Sequence, residues 1–181
     1  MKLRLSLLAA VLAFSTSVLA AAPEDTLVIM LKDGEVKIAL RPDLAPKHVA
    51  QIKTLAKKGF YDGVVFHRVI NGFMAQTGDG QFGDSDGTYD PNAAGTGGSD
   101  MPNIPAEFSK EPFVRGTVGM ARAQDLNSAN SQFFIMFAPG DSLNGQYTVV
   151  GTVESGMELV DKIKKGDDNN NGSVADPDKM I

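Results

Sequence analysis

The residues able to do chemistry in this chain are few, and their types exclude most reaction classes. There is no cysteine, and His48 and His67 are the only histidines. That removes disulfides, thiolate nucleophiles, thiolate-bound zinc and any multi-histidine metal site. No P-loop or His-Glu-x-x-His pair occurs. Any catalysis is therefore expected to run without a covalent intermediate, and neither a cofactor nor a metal is expected. What stands out is Phe66-His67-Arg68-Val69-Ile70-Asn71-Gly72-Phe73-Met74-Ala75-Gln76-Thr77-Gly78-Asp79. On a strand Phe66, Arg68 and Ile70 share a face, and Phe73, Met74 and Gln76 return after the Asn71-Gly72 turn. Arginine is a permanent cation with several donors in a rigid fork, so it can stabilise a polarised group without transferring a proton. Taken singly, Arg68 reads as a solvated surface charge, and Phe73 and Met74 read as core packing. His67 points to the opposite strand face from Arg68, and its expected role is structural.

Those side chains need a scaffold, and the chain supplies mostly strands. Residues 26–31 and 35–40 are β-rich runs around Lys32-Asp33-Gly34, and the Asp-Gly pair is a hairpin signal because it tolerates positive φ. Pro46 opens a helix with Val49, Ile52, Leu55 and Ala56 on one face, Lys57 and Lys58 near its end and Gly59 as its stop. Further strands are expected at 64–70, 73–76, 117–121, 132–137 and 147–153. A second helix is expected from Met157 through Val160 and Ile163 to Gly166. The Gly-, Asp-, Asn- and Pro-rich stretch 78–105 reads as a long surface loop. Many short strands without a βαβ rhythm favour a closed antiparallel barrel or a sandwich.

The chain has 181 residues, and its 43% hydrophobic content is enough for one sizeable core. With 17 Lys and Arg against 22 Asp and Glu, and no basic runs, nucleic acid is not an expected partner. Residues 1–20 carry Lys2 and Arg4, an apolar run too short to span a bilayer, and small residues up to Ala20. This is the pattern of a secretory signal peptide cleaved after Ala20. The expected product is a single domain, 21–181, with 15 basic and 22 acidic residues, exported to the periplasm and free of the membrane after cleavage. A cysteine-free chain suits that oxidising space.

The motif around Arg68 does not stand alone. Gly95-Thr96-Gly97-Gly98, Gly119-Met120-Ala121, Asn130-Ser131-Gln132-Phe133-Phe134-Ile135, and Leu143 with Gly145, Tyr147 and Val149 follow in order. Over most of the chain after residue 20, this set resembles the cyclophilin family of peptidyl-prolyl cis/trans isomerases. The resemblance implies a mainly β fold, a closed eight-stranded antiparallel barrel capped by two α-helices, with the site on its outer face. It implies that Arg68 is the catalytic guanidinium and that Gln76 orients it. Phe73, Met74, Phe134 and Leu143 would line a proline pocket, and Ala121 and Gln132 would flank the groove for the preceding residue. Tyr147 stands where many members have His. Proline-containing polypeptides are the implied partners, folding of exported proteins the implied role, and a monomer the expected state.

The chemistry would suit those residues. Rotation about an X-Pro bond is opposed by about 18 to 20 kcal/mol of lost amide resonance and takes tens to hundreds of seconds uncatalysed. No bond breaks, so no nucleophile or base is required. Five decades of acceleration need about 7 kcal/mol of preferential transition-state binding. The twisted proline nitrogen is more basic than the planar one, so a fixed cation donating to it favours the twisted state.

Several features depart from the family pattern or stand outside it. Arg122 replaces a common Asn and adds charge at the groove edge. The loop 80–94 is longer and more acidic than in compact members. Residues 167–178 have the oxygen spacing of a calcium loop at relative positions 1, 3 and 5, with Gly at 6 and Asp at 12. Against a calcium site, position 12 is Asp instead of Glu, and Pro177 precludes a following helix. The family's closing strand would only be starting at Lys179-Met180-Ile181, so the final strand is expected to be abbreviated. Two rival readings are a non-catalytic proline-peptide binding or chaperone module and a calcium-stabilised accessory on the same scaffold.

Ser142 occupies a position where several family members carry Trp, so the indole donor that contacts cyclosporin is missing and sensitivity to that drug should be weak. Ser142→Trp is expected to raise cyclosporin affinity, measured calorimetrically, with the fold unchanged; weak binding in the variant would show that this loop is misaligned.

Overall fold

The computed structural model describes residues 22–87 and 89–181. The expected signal peptide, residues 1–20, lies outside the described residues. β1 (Thr26–Leu31) and β2 (Gly34–Leu40) form the expected hairpin, with Leu31 paired to Gly34 across a Lys32-Asp33 turn. Gly34 has φ 140°, the backbone freedom that the Asp-Gly signal anticipates. After α1 (Pro46–Lys57) come β3 (Arg68–Ile70), β4 (Met74–Thr77), β5 (Thr117–Met120), β6 (Phe133–Met136), β7 (Val149–Ser155) and the one-turn α2 (Met157–Val160). Every strand pair is antiparallel, and the sheet order is β1-β2-β7-β5-β6-β4-β3. Among the described residues no helix is long and apolar enough to cross a membrane.

This is a mainly β fold with two helices, but the expected closed barrel of eight strands is corrected to a curled half-barrel of seven. β1 and β3 are its edges. The gap between them holds residues 178–181, where Phe66 N–H donates to Asp178 O (2.8 Å), Met180 N–H to Val64 O (3.0 Å), and Ile181 N–H to Met30 O (3.0 Å). A single bond to β1 is too little pairing to make a ladder, so the sheet does not close through this segment. The strand expected over 64–70 is likewise shorter. Val64 and Val65 make only isolated bridges, to Asp84 and Lys179, and the regular ladder begins at Arg68.

The curl gives the sheet two apolar faces. Its concave side buries Val36, Ile38, Val69, Ala75, Val118, Phe133 and Ile135 with Val49, Ile52 and Leu55 of α1. The outer side carries a smaller cluster of Met74, Phe113, Phe134, Met136 and Val149. The helix start is capped from afar, since the Glu107 carboxylate accepts from Lys47 N–H, His48 N–H and His48 Nδ1. The expected surface loop 78–105 is stapled as well. Buried Asp79 accepts four backbone N–H groups, from Gln81 and Phe82 (3.0 Å each), Gly95 (2.7 Å) and Gly97 (2.9 Å).

His67 is 7% exposed, and neither ring nitrogen has a hydrogen-bond partner among the described residues. Burial, opposed by Asp79, pushes its pKa down to about 4. A pKa lower in the folded than in the unfolded state means that the stabilising preference for the neutral ring is complete above the unfolded value of about 6.5. It is lost as pH falls through 4, and amounts to about 3 kcal/mol. Urea melts at pH 7 and pH 4.5 are expected to show a steeper acid loss in the wild type than in His67→Gln; parallel losses would contradict the burial account.

Candidate active site

The site is built on one cross-strand row. Arg68 of β3 pairs with Gln76 of β4, Gln76 with Phe134 of β6, Phe134 with Gly119 of β5, and Gly119 with Val149 of β7. Side chains alternate faces along a strand, so Val69, Ala75, Phe133 and Ile135 enter the concave core while their neighbours Arg68, Gln76 and Phe134 stand on the outer face. The β3–β4 turn runs through Gly72 at φ 69° and closes with Phe73 N–H donating to Ile70 O at 3.1 Å. This turn brings Phe73 and Met74 beside Arg68.

A cleft of about 190 Å³ on this face is lined by Arg68, Phe73, Met74, Gln76, Ala121, Arg122, Phe134, Leu143 and Tyr147. That size lies below the usual range for drug-sized ligand pockets, roughly 300 to 1,000 Å³, and suits a single ring or side chain. Its floor is rigid aromatic packing. Phe113 stacks on Phe134 at 5.7 Å and 23°, and Tyr147 meets Phe134 edge-on at 5.8 Å. Gly119 makes the stack possible, because a Cβ there would lie 2.5 Å from Phe113 and 2.6 Å from Phe134. Phe113 is fully buried yet absent from the sequence expectations, since nothing local distinguishes it in an irregular segment after Pro112.

Arg68 is half-buried, and no carboxylate pairs with it among the described residues. Loss of solvent lowers its pKa, opposed by Tyr147, yet guanidinium remains charged at any physiological pH. Neutral oxygens hold it. Nη1 donates to Gln76 Oε1 at 3.1 Å, while Nε and Nη2 donate to the carbonyl and Oδ1 of Asn171 at 3.0 and 2.9 Å. Gln76 is itself oriented, since its Nε2 donates to Gln132 Oε1 at 3.0 Å. Gln132 Nε2 in turn donates to the carbonyls of Gly95 (3.0 Å) and Gly97 (2.8 Å). Carbonyls only accept, so this end of the relay sets which way both amides face. The chain of contacts runs back to Asp79, which grips Gly95 and Gly97.

Of the residues singled out by sequence, all but Gln132 line the cleft. Gln132 faces a second depression of about 370 Å³ that also shares Ala121 and Arg122. Arg122 lies over the Tyr147 ring at 4.5 Å and donates to Gln146 O and Ala123 O, so it covers the rim instead of projecting from it. Ser142 is exposed beside Leu143. The calcium-like oxygens do not converge, because Asn171 turns to Arg68, and Asp178 pairs with Lys32 Nζ at 2.5 Å and accepts from Lys164 N–H. Among the described residues no group of three or more acidic or histidine side chains is placed to hold a metal ion.

The family profile described as cyclophilin type peptidyl-prolyl cis-trans isomerase/CLD matches residues 26–181. A probable peptidyl-prolyl cis-trans isomerase of Brucella suis is 68% identical over 162 residues, covering 90% of this chain and 83% of that protein. Peptidyl-prolyl cis-trans isomerase B of Bacillus subtilis is 39% identical over 141 residues, covering 76% of this chain and 90% of its own. Among solved structures, the cyclophilin AquaCyp293 of Hirschia baltica superposes with a TM-score of 0.71 at 25% identity, covering 89% of this chain and 73% of that one. A cyclophilin-type isomerase of Cryptosporidium parvum, solved in the presence of the dipeptide Ala-Pro, gives 0.71 at 25% identity over 86% of this chain and 94% of its own. With a family match across nearly all the described residues and relatives of this identity, the chain belongs to the cyclophilin-type peptidyl-prolyl cis-trans isomerases.

Proposed function

We propose that this isomerase turns X-Pro bonds in exported polypeptides by using Arg68 as a fixed, unneutralised cation beside an apolar ring pocket. The observation that carries the reading is the pairing of the two features. The oxygens that hold Arg68 are all neutral amide oxygens, and Phe73, Met74, Phe134 and Leu143 form the adjoining wall. The proline ring sits against that wall and excludes water, which strengthens the field of the guanidinium. The planar amide delocalises the nitrogen lone pair into its carbonyl, whereas the twisted amide localises it on nitrogen. An Arg68 N–H directed at that nitrogen therefore binds the twisted state better than either planar isomer, which is what acceleration requires. Gln76 holds one edge of the guanidinium through Nη1 and offers its amide to the substrate backbone.

The wider depression beside Ala121 and Gln132 takes the residue before proline. Its lining includes the polar side chains of Thr96, Ser128 and Asn130 and the backbone of Gly95 and Gly97, so it does not demand an apolar partner. The Ala-Pro dipeptide present with the Cryptosporidium parvum protein is consistent with that division between a proline pocket and a neighbouring site. Export is supported by the composition of residues 1–20: Lys2 and Arg4, the short apolar run and the small residues to Ala20. In the periplasm the isomerase would act on newly exported chains whose folding waits on proline isomerisation.

Arg68→Ala, compared with wild type at matched folded concentration, is expected to lower kcat/KM on a short X-Pro peptide by about a hundredfold or more; an unchanged rate would remove Arg68 from the mechanism. In a bacterium with two membranes, intact mass of the recovered protein is expected to correspond to a chain beginning at Ala21, and a chain retaining Lys2 and Arg4 would reject export by cleavage.

A further inference from the structure

We propose that Asn171 is a positioning residue for Arg68, and that the loop containing it, spaced like a calcium loop in sequence, serves as a clamp for the guanidinium. The inference rests on the reading of Arg68 given above and concerns how that group is held.

The clamp is a built structure. The loop closes on itself, since Gly172 N–H and Asn170 N–H both donate to Asp167 O (2.9 and 3.0 Å), Asp167 N–H donates to Ser173 O (3.0 Å), and Asn169 N–H donates to Asp167 Oδ1 (2.9 Å). It is then strapped to β3 on both sides of Arg68. Val69 N–H donates to Gly172 O (2.8 Å), Gly166 N–H to Val69 O (2.9 Å), and Val174 N–H to His67 O (3.2 Å). Gly172 permits the approach, because a Cβ there would lie 2.5 Å from Ile70 Cγ1. These bonds leave Asn171 at φ 51° and ψ 30°, the left-handed conformation that Asn and Gly adopt most readily. In that conformation its carbonyl and its Oδ1 both reach Arg68, at Nε and Nη2.

A guanidinium has five N–H bonds. Asn171 engages two of them and Gln76 a third, while Nη1 also approaches Met74 Sδ at 3.8 Å. With both Nη1 hydrogens so directed, the remaining donor capacity is on Nη2. Gln76 alone would leave the guanidinium free to turn about its bonds to Cδ, and Asn171 blocks that rotation from the opposite edge. Both acceptors are neutral, so the hold leaves the positive charge uncompensated.

Asn171→Gly is the informative variant, because it keeps the left-handed backbone and the carbonyl and removes the side chain that carries Oδ1. In the full chain, its thermal midpoint is expected to match wild type, while the Arg68 Nε–H resonance shows faster guanidinium rotation and proton exchange. On an X-Pro peptide, kcat is expected to fall about five- to thirtyfold with little change in KM. Asn171→Asp restores an acceptor at the same conformation and is expected to restore the ordered Arg68 signal. The inference is overturned if Arg68 is equally ordered in the Gly variant, or if the Asp variant is as disordered as the Gly variant. Should the wild type itself lack isomerase activity, the mechanism assigned to Arg68 fails, while the resonance comparison still decides whether Asn171 holds that group.

Discussion

The structure around the site depends on one electrostatic constraint: a guanidinium must be withdrawn from water and kept from pairing with a carboxylate. A carboxylate would hold Arg68 firmly but would neutralise the field on which the role proposed for it depends. The chain meets the constraint with amide oxygens, two from Asn171 and one from Gln76. Neutral acceptors bind more weakly than carboxylates, so they must themselves be fixed. Gln132 and the Gly95 and Gly97 carbonyls fix Gln76. The one buried carboxylate in this relay, Asp79, lies at its far end, where it gathers backbone N–H groups and does not touch the guanidinium.

A second constraint follows from putting a pocket on the outside of a sheet. An exposed sheet face ordinarily carries polar side chains, yet a proline ring needs an apolar, water-excluding wall. The chain resolves this with a second small core. Met74, Phe113, Phe134, Met136 and Val149 are buried together on the convex face, and Met74 and Phe134 of this cluster form part of the cleft lining. The stacked Phe113 and Phe134 rings require the missing side chain at Gly119, so a glycine in the middle of β5 is a packing requirement here and not a flexible point.

Much of this was legible in the sequence because it is local or periodic. The β1–β2 hairpin, α1 with Val49, Ile52 and Leu55 turned inward, and the outward row of Arg68 and Gln76 follow from turn chemistry and from periods of two and 3.6 residues. The set of cleft residues was legible by another route, the ordered motifs of the cyclophilin family, and not by spacing alone. Less legible were lengths and closure. Residues 64–67 look like strand, but their neighbours 178–181 and 83–84 offer isolated bonds and no continuous ladder. A closed barrel was expected from the family resemblance, the strand pattern by itself allowing a barrel or a sandwich, and closure is a property of pairing between β1 and the other edge that no run of residues specifies.

The sequence by itself determined the reaction class that this protein can support. It has no cysteine, no cluster of histidines and no phosphate loop, and it places one arginine within an apolar β-hairpin motif, the inventory from which a non-covalent, electrostatic chemistry is expected. The tertiary structure alone decided what holds that arginine. Asn171 lies 103 residues from Arg68, Gln132 lies 56 residues from Gln76, and Phe113, from the irregular segment before β5, meets Phe134 of β6. In sequence these residues read as parts of a calcium-like loop, a groove flank and an unremarked segment. Side-chain identity is local information, but orientation is set by whichever partners folding brings within 3 Å, and those contacts span distances over which no sequence period persists.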